Sequence, residues 1–174
     1  MDSPSRRRTL GVLVGFDGSD HAVRALVFAA RTAQHKQSRL TVVTTYSDPI
    51  PFYVNYASLP AHKDHDARRQ VAERTLDIAR THLADYSIAV DYRAEHGSCT
   101  ATLTKLSGDA QITVVGSPSS GGLRGLIMRS VASTLPARAA SAVIIVSADY
   151  NIAGPDDATT ASHDDVERLG VSWV

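Results

Sequence analysis

Two loops of this 174-residue chain combine residue types that suit the binding of a nucleotide. The first is GFDGSD, in which Asp17 follows an apolar run beside Gly15 and Gly18 and precedes a helical pattern. In one interpretation, the Asp17 carboxylate accepts hydrogen bonds from ribose hydroxyls. In the other, it only caps the tight turn and the helix that follows. The sequence leaves both interpretations open.

The second loop is GSPSSGG, residues 116–122, and it follows another apolar run. Gly116 ends that run, and Gly121, Gly122 and Gly125 permit close backbone approach and unusual dihedral angles. Backbone N–H groups in such a loop, together with the N-terminus of the next helix, can form an anion-binding nest. The sequence therefore predicts a phosphate-binding turn after Gly116.

The motifs of several well-known enzyme classes are absent. The chain has no G-x-x-x-x-G-K-[ST], no G-x-G-x-x-G and no G-x-S-x-G, which excludes P-loop NTPases and hydrolase elbows and argues against a dinucleotide site. The loop hydroxyls have no paired histidine in the local sequence; they belong to Ser117, Ser119, Ser120 and Ser130. We therefore expect a binding protein rather than an enzyme.

The histidines show no strong metal-binding spacing. His62 and His65 are three residues apart in HKDHD and can share a helical face, with Asp64 and Asp66 beside them. A solvated first helical turn explains this cluster better than a metal does, because a third strong ligand is missing. We predict no metal site.

Composition narrows the classes of partner. The net charge is zero, so neither nucleic acid nor an anionic membrane is expected as a partner. The single cysteine, Cys99, excludes an internal disulfide and is expected to be a small buried or half-buried residue. No apolar run reaches the roughly 18 residues that span a bilayer. The run after the N-terminal arginines stops at Asp17, too early for a signal peptide, so we expect a cytoplasmic protein.

Hydrophobic patterns predict five strands that alternate with four helices. Buried strands are predicted at 10–16, 40–46, 112–116 and 142–147. A strand with one solvent-exposed face is predicted at 87–95. The helices are predicted from Ser19 or Asp20 onward, at 62–85, at 99–107 and at 127–140. This alternation favours a parallel sheet with helices on both faces. Residues 1–8 are predicted to be a flexible basic arm, 9–148 the domain, and 149–174 an acidic, mostly flexible tail whose apolar end, LGVSWV, can also dock.

Together these features resemble the universal stress protein family over residues 9–148. The resemblance rests on VLVGFDGSDHAVRAL, on VVGSPSSGGLRGLIMRSVASTLPARAASAVIIV and on the order of elements between them. It implies a five-stranded parallel α/β sheet of order 3-2-1-4-5 with helices on both faces, of the adenine nucleotide alpha hydrolase-like type. The family's ATP motif is Gly, two residues, Gly, nine residues, then Gly with Ser or Thr. It falls on Gly116, Ser119, Arg129 and Ser130, so the two middle glycines are replaced.

The resemblance also implies where a nucleotide would bind. The residue at Asp17 would contact the ribose, the backbone near Val42 and Val43 the adenine, and the loop with Ser130 the phosphates. Predicted nucleotide-binding residues are Gly15, Asp17, Val42, Val43, Gly116, Ser117, Ser119, Gly121, Gly122, Arg129 and Ser130. ATP or AMP is the implied ligand.

Three hypotheses of function stay open on the sequence. The first is a cytoplasmic stress-response protein that binds ATP or AMP through a degenerate glycine motif and pairs as a homodimer through residues 142–147. The second is an interaction module of the same fold that binds no nucleotide. The third is a weak nucleotide hydrolase.

Overall fold

A computed structural model describes residues 9–47, 62–117 and 123–152. Over these residues, five strands alternate with four helices as predicted. The elements are β1 (Gly11–Gly15), α1 (Asp20–His35), β2 (Leu40–Tyr46), α2 (His62–His82), β3 (Val90–His96), α3 (Cys99–Ser107), β4 (Ala110–Gly116), α4 (Leu123–Arg138) and β5 (Ala142–Val146). All neighbouring strands pair in parallel, in the order β3-β2-β1-β4-β5, which confirms the predicted sheet.

Helices cover both faces of the sheet because consecutive strand residues point in opposite directions. Val12 and Val14 of β1 pack on one face in a cluster with Leu26 of α1 and Leu76 of α2. Leu13 of β1 packs on the other face with residues of α3 and α4, among them Leu103 and Leu135. Burial on both faces explains the unbroken apolar runs of β1 and β2. β5 was also predicted to be buried, but it is an edge strand of the sheet, and Ile145 in it is 44% exposed.

Polar groups inside the sheet have partners. The Thr41 hydroxyl donates to the carbonyl of Leu10 at 2.8 Å, and the Thr44 hydroxyl donates to the carbonyl of Phe16 at 2.6 Å. Both threonines are buried in β2, where an unpaired hydroxyl would be costly. These bonds fix the chain on either side of β1, including the residue just before Asp17.

Some element boundaries differ from the predicted ones. β3 begins at Val90 rather than 87, and β4 begins at Ala110 rather than 112. α4 begins at Leu123 rather than 127. The helix includes Gly125 although glycine lowers helix propensity by about 1 kcal/mol, which is why a propensity-based prediction starts the helix too late. Pro136 lies inside α4, which ends two residues later at Arg138. Its missing N–H removes one backbone hydrogen bond of the helix, which ends within the next turn.

The chain turns back onto α1 after β5. The ring of Tyr150 packs edge-on against Phe28, with 5.5 Å between ring centroids. Arg24 donates to the Tyr150 carbonyl at 2.9 Å, and Arg31 donates to the Ile152 carbonyl at 3.0 Å. Residues 149–152 are therefore bound to the domain. The predicted basic arm (1–8) and the remaining tail (153–174) lie outside the described residues.

Within the described ranges, the helices are too short or too polar to cross a membrane.

Candidate functional site

The carboxyl ends of β1 and β4 lie side by side, and the chain leaves them toward opposite faces of the sheet. α1 follows β1 on one face, and α4 follows β4 on the other. In open α/β sheets, the crevice at such a switch point is the usual place for a ligand. The two loops with candidate site residues both begin at this crevice, in agreement with the strand order 3-2-1-4-5 that the family resemblance implies.

Asp17 lies in the turn after β1 and is half-buried. Its Oδ1 accepts hydrogen bonds from the Ser19 backbone N–H at 3.0 Å and from the Ser19 hydroxyl at 2.5 Å. Gly18 completes the turn with φ of 80°, in the left-handed region that glycine tolerates. Asp17 thus caps the turn, whereas the N-cap of α1 itself is Ser19. The Oδ2 of Asp17 carries no hydrogen bond within the part of the chain that the structure describes, so one carboxylate oxygen remains for a ligand.

A cavity of about 560 Å³ adjoins Asp17. This volume lies within the range of about 300–1,000 Å³ that is usual for small-molecule sites. Four segments form its walls: the turn after β1, the end of β2, one face of α2 and the β3–α3 turn. The lining residues are Phe16, Asp17, Val43, Thr44, Thr45, Tyr46, Ser47, Arg68, Val71, Ala72, Thr75, Gly97, Ser98 and Cys99.

The predicted site residues of the sheet divide between this cavity and the core. Val43 lines the cavity, whereas Val42 is fully buried on the opposite face of β2. Gly15 faces α3, where an added Cβ would come within 2.9 Å of Leu103 Cδ1. Gly15 is therefore a packing residue beside the site rather than part of its wall.

Gly116 and Ser117 mark the start of the second loop. Gly116 lies against the main chain of His21 in the first turn of α1. The Ser117 N–H donates to the Val146 carbonyl at 2.7 Å, so this amide extends the pairing of β4 with β5 and is not available to an anion. Ser119, Gly121 and Gly122 lie outside the described residues. Arg129 and Ser130 lie within α4, for which the structure describes only the backbone at these positions.

Contacts that could not be predicted from the sequence link the turn after β1 to the end of β4. The Ser19 hydroxyl, which bonds to Asp17, also lies 3.0 Å from Nε2 of His21. It accepts the Ala22 N–H at 3.4 Å as the N-cap of α1. The signal in the sequence was the alternation of Asp17, Ser19 and His21 across a helix start. Only the fold shows that His21 meets Gly116.

Cys99 begins α3 and lines the cavity. Burial raises the pKa of its thiol to about 11; a hydrogen bond with Thr45 opposes this shift, and the charge of Asp17 adds to it. A thiol with this pKa is protonated at neutral pH and is a poor nucleophile. The expectation of a half-buried structural cysteine is confirmed.

Three rings pack together where β2, β3 and α2 meet. Tyr46, His65 and His96 have ring centroids 5.2–5.4 Å apart. Nearby, Arg68 of α2 donates to the Ser47 carbonyl at 2.8 Å. Within residues 9–47, 62–117 and 123–152, no three side chains of His, Cys, Asp or Glu are grouped to hold a metal ion. The side chain of His62 is not among those described.

Solved structures with this architecture are similar to the chain over most of its length. UspA from Lactobacillus plantarum has a TM-score of 0.65 and 22% identity, covering 80% of this chain and 98% of that one. An Arabidopsis thaliana universal stress family protein with AMP bound has a TM-score of 0.54 and 14% identity, covering 85% and 97%. An Archaeoglobus fulgidus universal stress protein in complex with dAMP has a TM-score of 0.52 and 21% identity, covering 79% and 97%. At these identities, the likeness shows a common fold.

Sequence comparison gives the same family. A universal stress protein of Mycobacterium tuberculosis is 27% identical over an alignment of 188 positions, which covers 97% of this chain and 63% of the relative. The chain spans about half to two thirds of the length of the curated relatives it matches. The model of the universal stress protein family matches residues 11–147, which is most of the chain. This chain, with its Asp17 turn and its crevice between β1 and β4, belongs to the universal stress protein family.

Proposed function

We propose that this chain binds an adenine nucleotide, ATP or AMP, in the crevice at the carboxyl ends of β1 and β4. It acts in the stress response by binding rather than by turnover. The observation that carries the proposal is the cavity beside Asp17, whose carboxylate is held by Ser19 through one oxygen only. The complexes of structural neighbours with AMP and dAMP support the same ligand class.

The base and the ribose would occupy the described cavity. Its walls include apolar surface from Val43, Val71 and Ala72, which suits the faces of a purine. Val71 is 60% exposed, and covering it with a ligand would remove apolar surface from water. Asp17 Oδ2 is an acceptor at the rim, and two neighbouring ribose hydroxyls are donors.

The phosphates would lie toward the loop after Gly116 and toward Ser130. This half of the site departs from the family motif, with Ser119 and Arg129 at two glycine positions and Pro118 without an N–H. The Ser117 amide is already bonded to Val146. One lost charge-assisted bond costs about 1.5–3 kcal/mol, or roughly ten- to more than a hundredfold in Kd. We therefore propose weak binding.

Calorimetry with AMP and ATP tests the proposal. The variant Asp17→Asn keeps an oxygen for Ser19 and replaces the other carboxylate oxygen with an NH₂ group, which donates and does not accept. It should bind AMP about tenfold more weakly, the loss expected for one hydrogen bond to a charged group. Asp20→Asn, an exposed change one residue after Ser19, is the matched control and should bind as the native protein does.

An absence of binding at millimolar nucleotide in the native protein would overturn the proposal. The replaced glycines favour one alternative in that case, an interaction module of the same fold with no nucleotide. The hydrolase alternative would need ATP turnover that Asp17→Asn abolishes. Cytoplasmic location, a homodimer through residues 142–147 and the lack of a nucleic-acid or membrane partner remain part of the proposal. The zero net charge supports the last of these for nucleic acid.

A further inference from the structure

Tyr46 is the last residue of β2, and its side chain forms part of the cavity wall. The described lining residues include two aromatic side chains, Phe16 and Tyr46. Phe16 is only 2% exposed, so its ring belongs to the core. Tyr46 is half-buried and therefore presents ring surface to the cavity. An aromatic wall in a cavity of this size is a surface on which a planar ring can stack.

The strand order places Tyr46 and Asp17 at different ends of the cavity. In the sheet, β2 lies between β3 and β1. Tyr46 pairs with His96 at the end of β3 on one side, and Asp17 follows the end of β1 on the other. The cavity extends across the end of β2 between them. It therefore offers a carboxylate on its β1 side and an aromatic ring on its β3 side.

The ring of Tyr46 is held in place by its neighbours. The rings of His65 in α2 and His96 in β3 meet it at 74° and 64°, with centroids 5.3 Å and 5.4 Å away. The two histidine rings also lie 5.2 Å from each other. The Tyr46 carbonyl accepts the Gly97 N–H at 2.8 Å, which fixes the backbone. Because the ring is already ordered, a ligand that stacks on it would lose little affinity to immobilising it.

The first turns of α2 are tied to the same strand end. Arg68, about one turn after His65, donates to the carbonyl of Ser47 at 2.8 Å. Another turn along the helix, Val71 lines the cavity and is 60% exposed. The helix therefore holds an apolar side chain at the cavity on which Tyr46 also borders. A flat base would cover both side chains and remove their apolar surface from water.

We propose that Tyr46 is the base-stacking residue of this cavity and gives it a preference for purine bases over pyrimidine bases. The inference rests on the proposed function and names the residue that decides between bases. A ribose at Asp17 leaves the base, one glycosidic bond away, on the side of Tyr46. A purine has the larger ring system and gains more from stacking on an aromatic face. This gain does not involve the phosphate, so adenosine and AMP should share it.

Calorimetry with two variants of Tyr46 tests the role of the ring. Tyr46→Leu keeps an apolar side chain but has no flat face to stack on. It should bind adenosine and AMP about tenfold more weakly, which is within the range for the loss of one base–aromatic stack. It should also narrow the preference for AMP over CMP. Tyr46→Phe keeps the ring and should bind all three ligands as the native protein does.

Tyr92→Leu is the matched control. Tyr92 is a half-buried tyrosine of the neighbouring strand β3, and it is not among the cavity residues. Its ring packs under the guanidinium of Arg80, with 4.6 Å from Arg80 Cζ to the ring centroid. The loss of this ring should leave the affinities for AMP and CMP unchanged.

NMR gives a readout that does not depend on the stability of Tyr46→Leu. In protein labelled at its tyrosine rings, AMP should move the ring signals of Tyr46, and a nuclear Overhauser effect should connect them with the adenine protons. The Tyr46 signals are identified by their absence from the spectrum of Tyr46→Phe. If Tyr46→Leu melts below the working temperature, the Overhauser effect in the native protein decides.

The outcomes separate this inference from the proposed function. If Tyr46→Leu binds AMP as the native protein does, or no Overhauser effect reaches the Tyr46 ring, the inference is overturned although the nucleotide site stands. A loss shared equally by AMP and CMP would assign Tyr46 a structural role instead. An equal loss in Tyr46→Phe would assign the contact to the hydroxyl, and either result overturns the inference. If the native protein binds neither adenosine nor AMP, the proposed function fails, and the inference fails with it.

Discussion

Gly116 at the end of β4 lies directly against the main-chain carbonyl of His21 in the first turn of α1. A Cβ built on Gly116 would stand 2.5 Å from that oxygen and 2.8 Å from the carbonyl carbon. The neighbouring atoms belong to the backbone of a helix and cannot rotate away. The absence of a side chain at Gly116 is thus what allows α1 to start beside the end of β4 and to hold His21 at the crevice.

Gly116→Ala should therefore destabilise the domain by about 1–3 kcal/mol, the usual cost of overpacking a tight contact. Urea denaturation measures this as a lower transition midpoint at unchanged slope. Gly15→Ala is the matched comparison, because its Cβ would meet the end of the Leu103 side chain at 2.9 Å, and a side chain can adjust. Equal losses in the two variants would contradict the backbone contact at His21.

The buried thiol of Cys99 should make the free energy of unfolding depend on pH in the alkaline range. Its pKa is raised from 9.0 to about 11 in the folded state, so the folded protein holds the proton at a pH where the unfolded chain releases it. This thiol should therefore leave the free energy of unfolding unchanged below about pH 9. Between pH 9 and 11 it should lower that free energy, by up to about 1.4 kcal/mol per pH unit. The free energy of unfolding should fall faster over this range in the native protein than in Cys99→Ala. Parallel pH profiles would show that the thiol ionises in the folded state.

Residues 149–152 should contribute to stability although they follow the last strand. A chain that ends at Ile152 keeps the Tyr150 contact with Phe28 and the bonds from Arg24 and Arg31. It should melt as the full chain does. A chain that ends at Ser147 should melt several degrees lower, because an aromatic pair alone is worth about 0.5–1.5 kcal/mol. If the cut after Ile152 also lowers the melting temperature, the segment with LGVSWV docks on the domain.

Much of the fold could be predicted because the central strands are buried on both faces. Val12, Leu13 and Val14 are all fully buried, and a strand covered on both faces has no polar position to obscure its pattern. Strict alternation with helices then leaves few topologies. Asp17 and Gly116 could be placed at one crevice only through the family resemblance, which implies the strand order and so a switch point between β1 and β4.

The features that could not be predicted depend on contacts between residues that are far apart in the sequence. Tyr150 binds to Phe28 across 122 positions, and nothing in its neighbourhood distinguishes it from a tail residue. The meeting of His21 with Gly116 depends on the pairing of β1 with β4, which periodicity does not encode. The cavity walls that α2 and the β3–α3 turn contribute could not be predicted for the same reason, whereas Asp17 and Val43 in the cavity were among the predicted site residues.

Restoring the family's glycines should tighten nucleotide binding if the phosphate loop is only damaged. Ser119→Gly with Arg129→Gly should bind ATP about tenfold more tightly in calorimetry, the value of one regained charge-assisted bond. Arg129→Gly alone separates two roles for the arginine. Weaker binding in that single variant would mean that the guanidinium pairs with a phosphate, and tighter binding would mean that its bulk obstructs the loop. No change in either variant would place the phosphates away from this loop.

The edge strand β5 is a surface through which two copies of the chain could pair. In the described sheet β5 pairs only with β4, and Ile145 in its middle is 44% exposed. A short, uncharged, apolar edge strand is prone to pair with another chain, and two such edges can pair across a two-fold axis. Ile145→Lys should convert a dimer to a monomer in sedimentation, because each copy would bring a charged lysine to an apolar pairing edge. Ile78→Lys on α2 is the matched control, as Ile78 is 45% exposed and lies away from this edge. A dimer that persists in Ile145→Lys, or one that Ile78→Lys disrupts equally, would rule out pairing through residues 142–147.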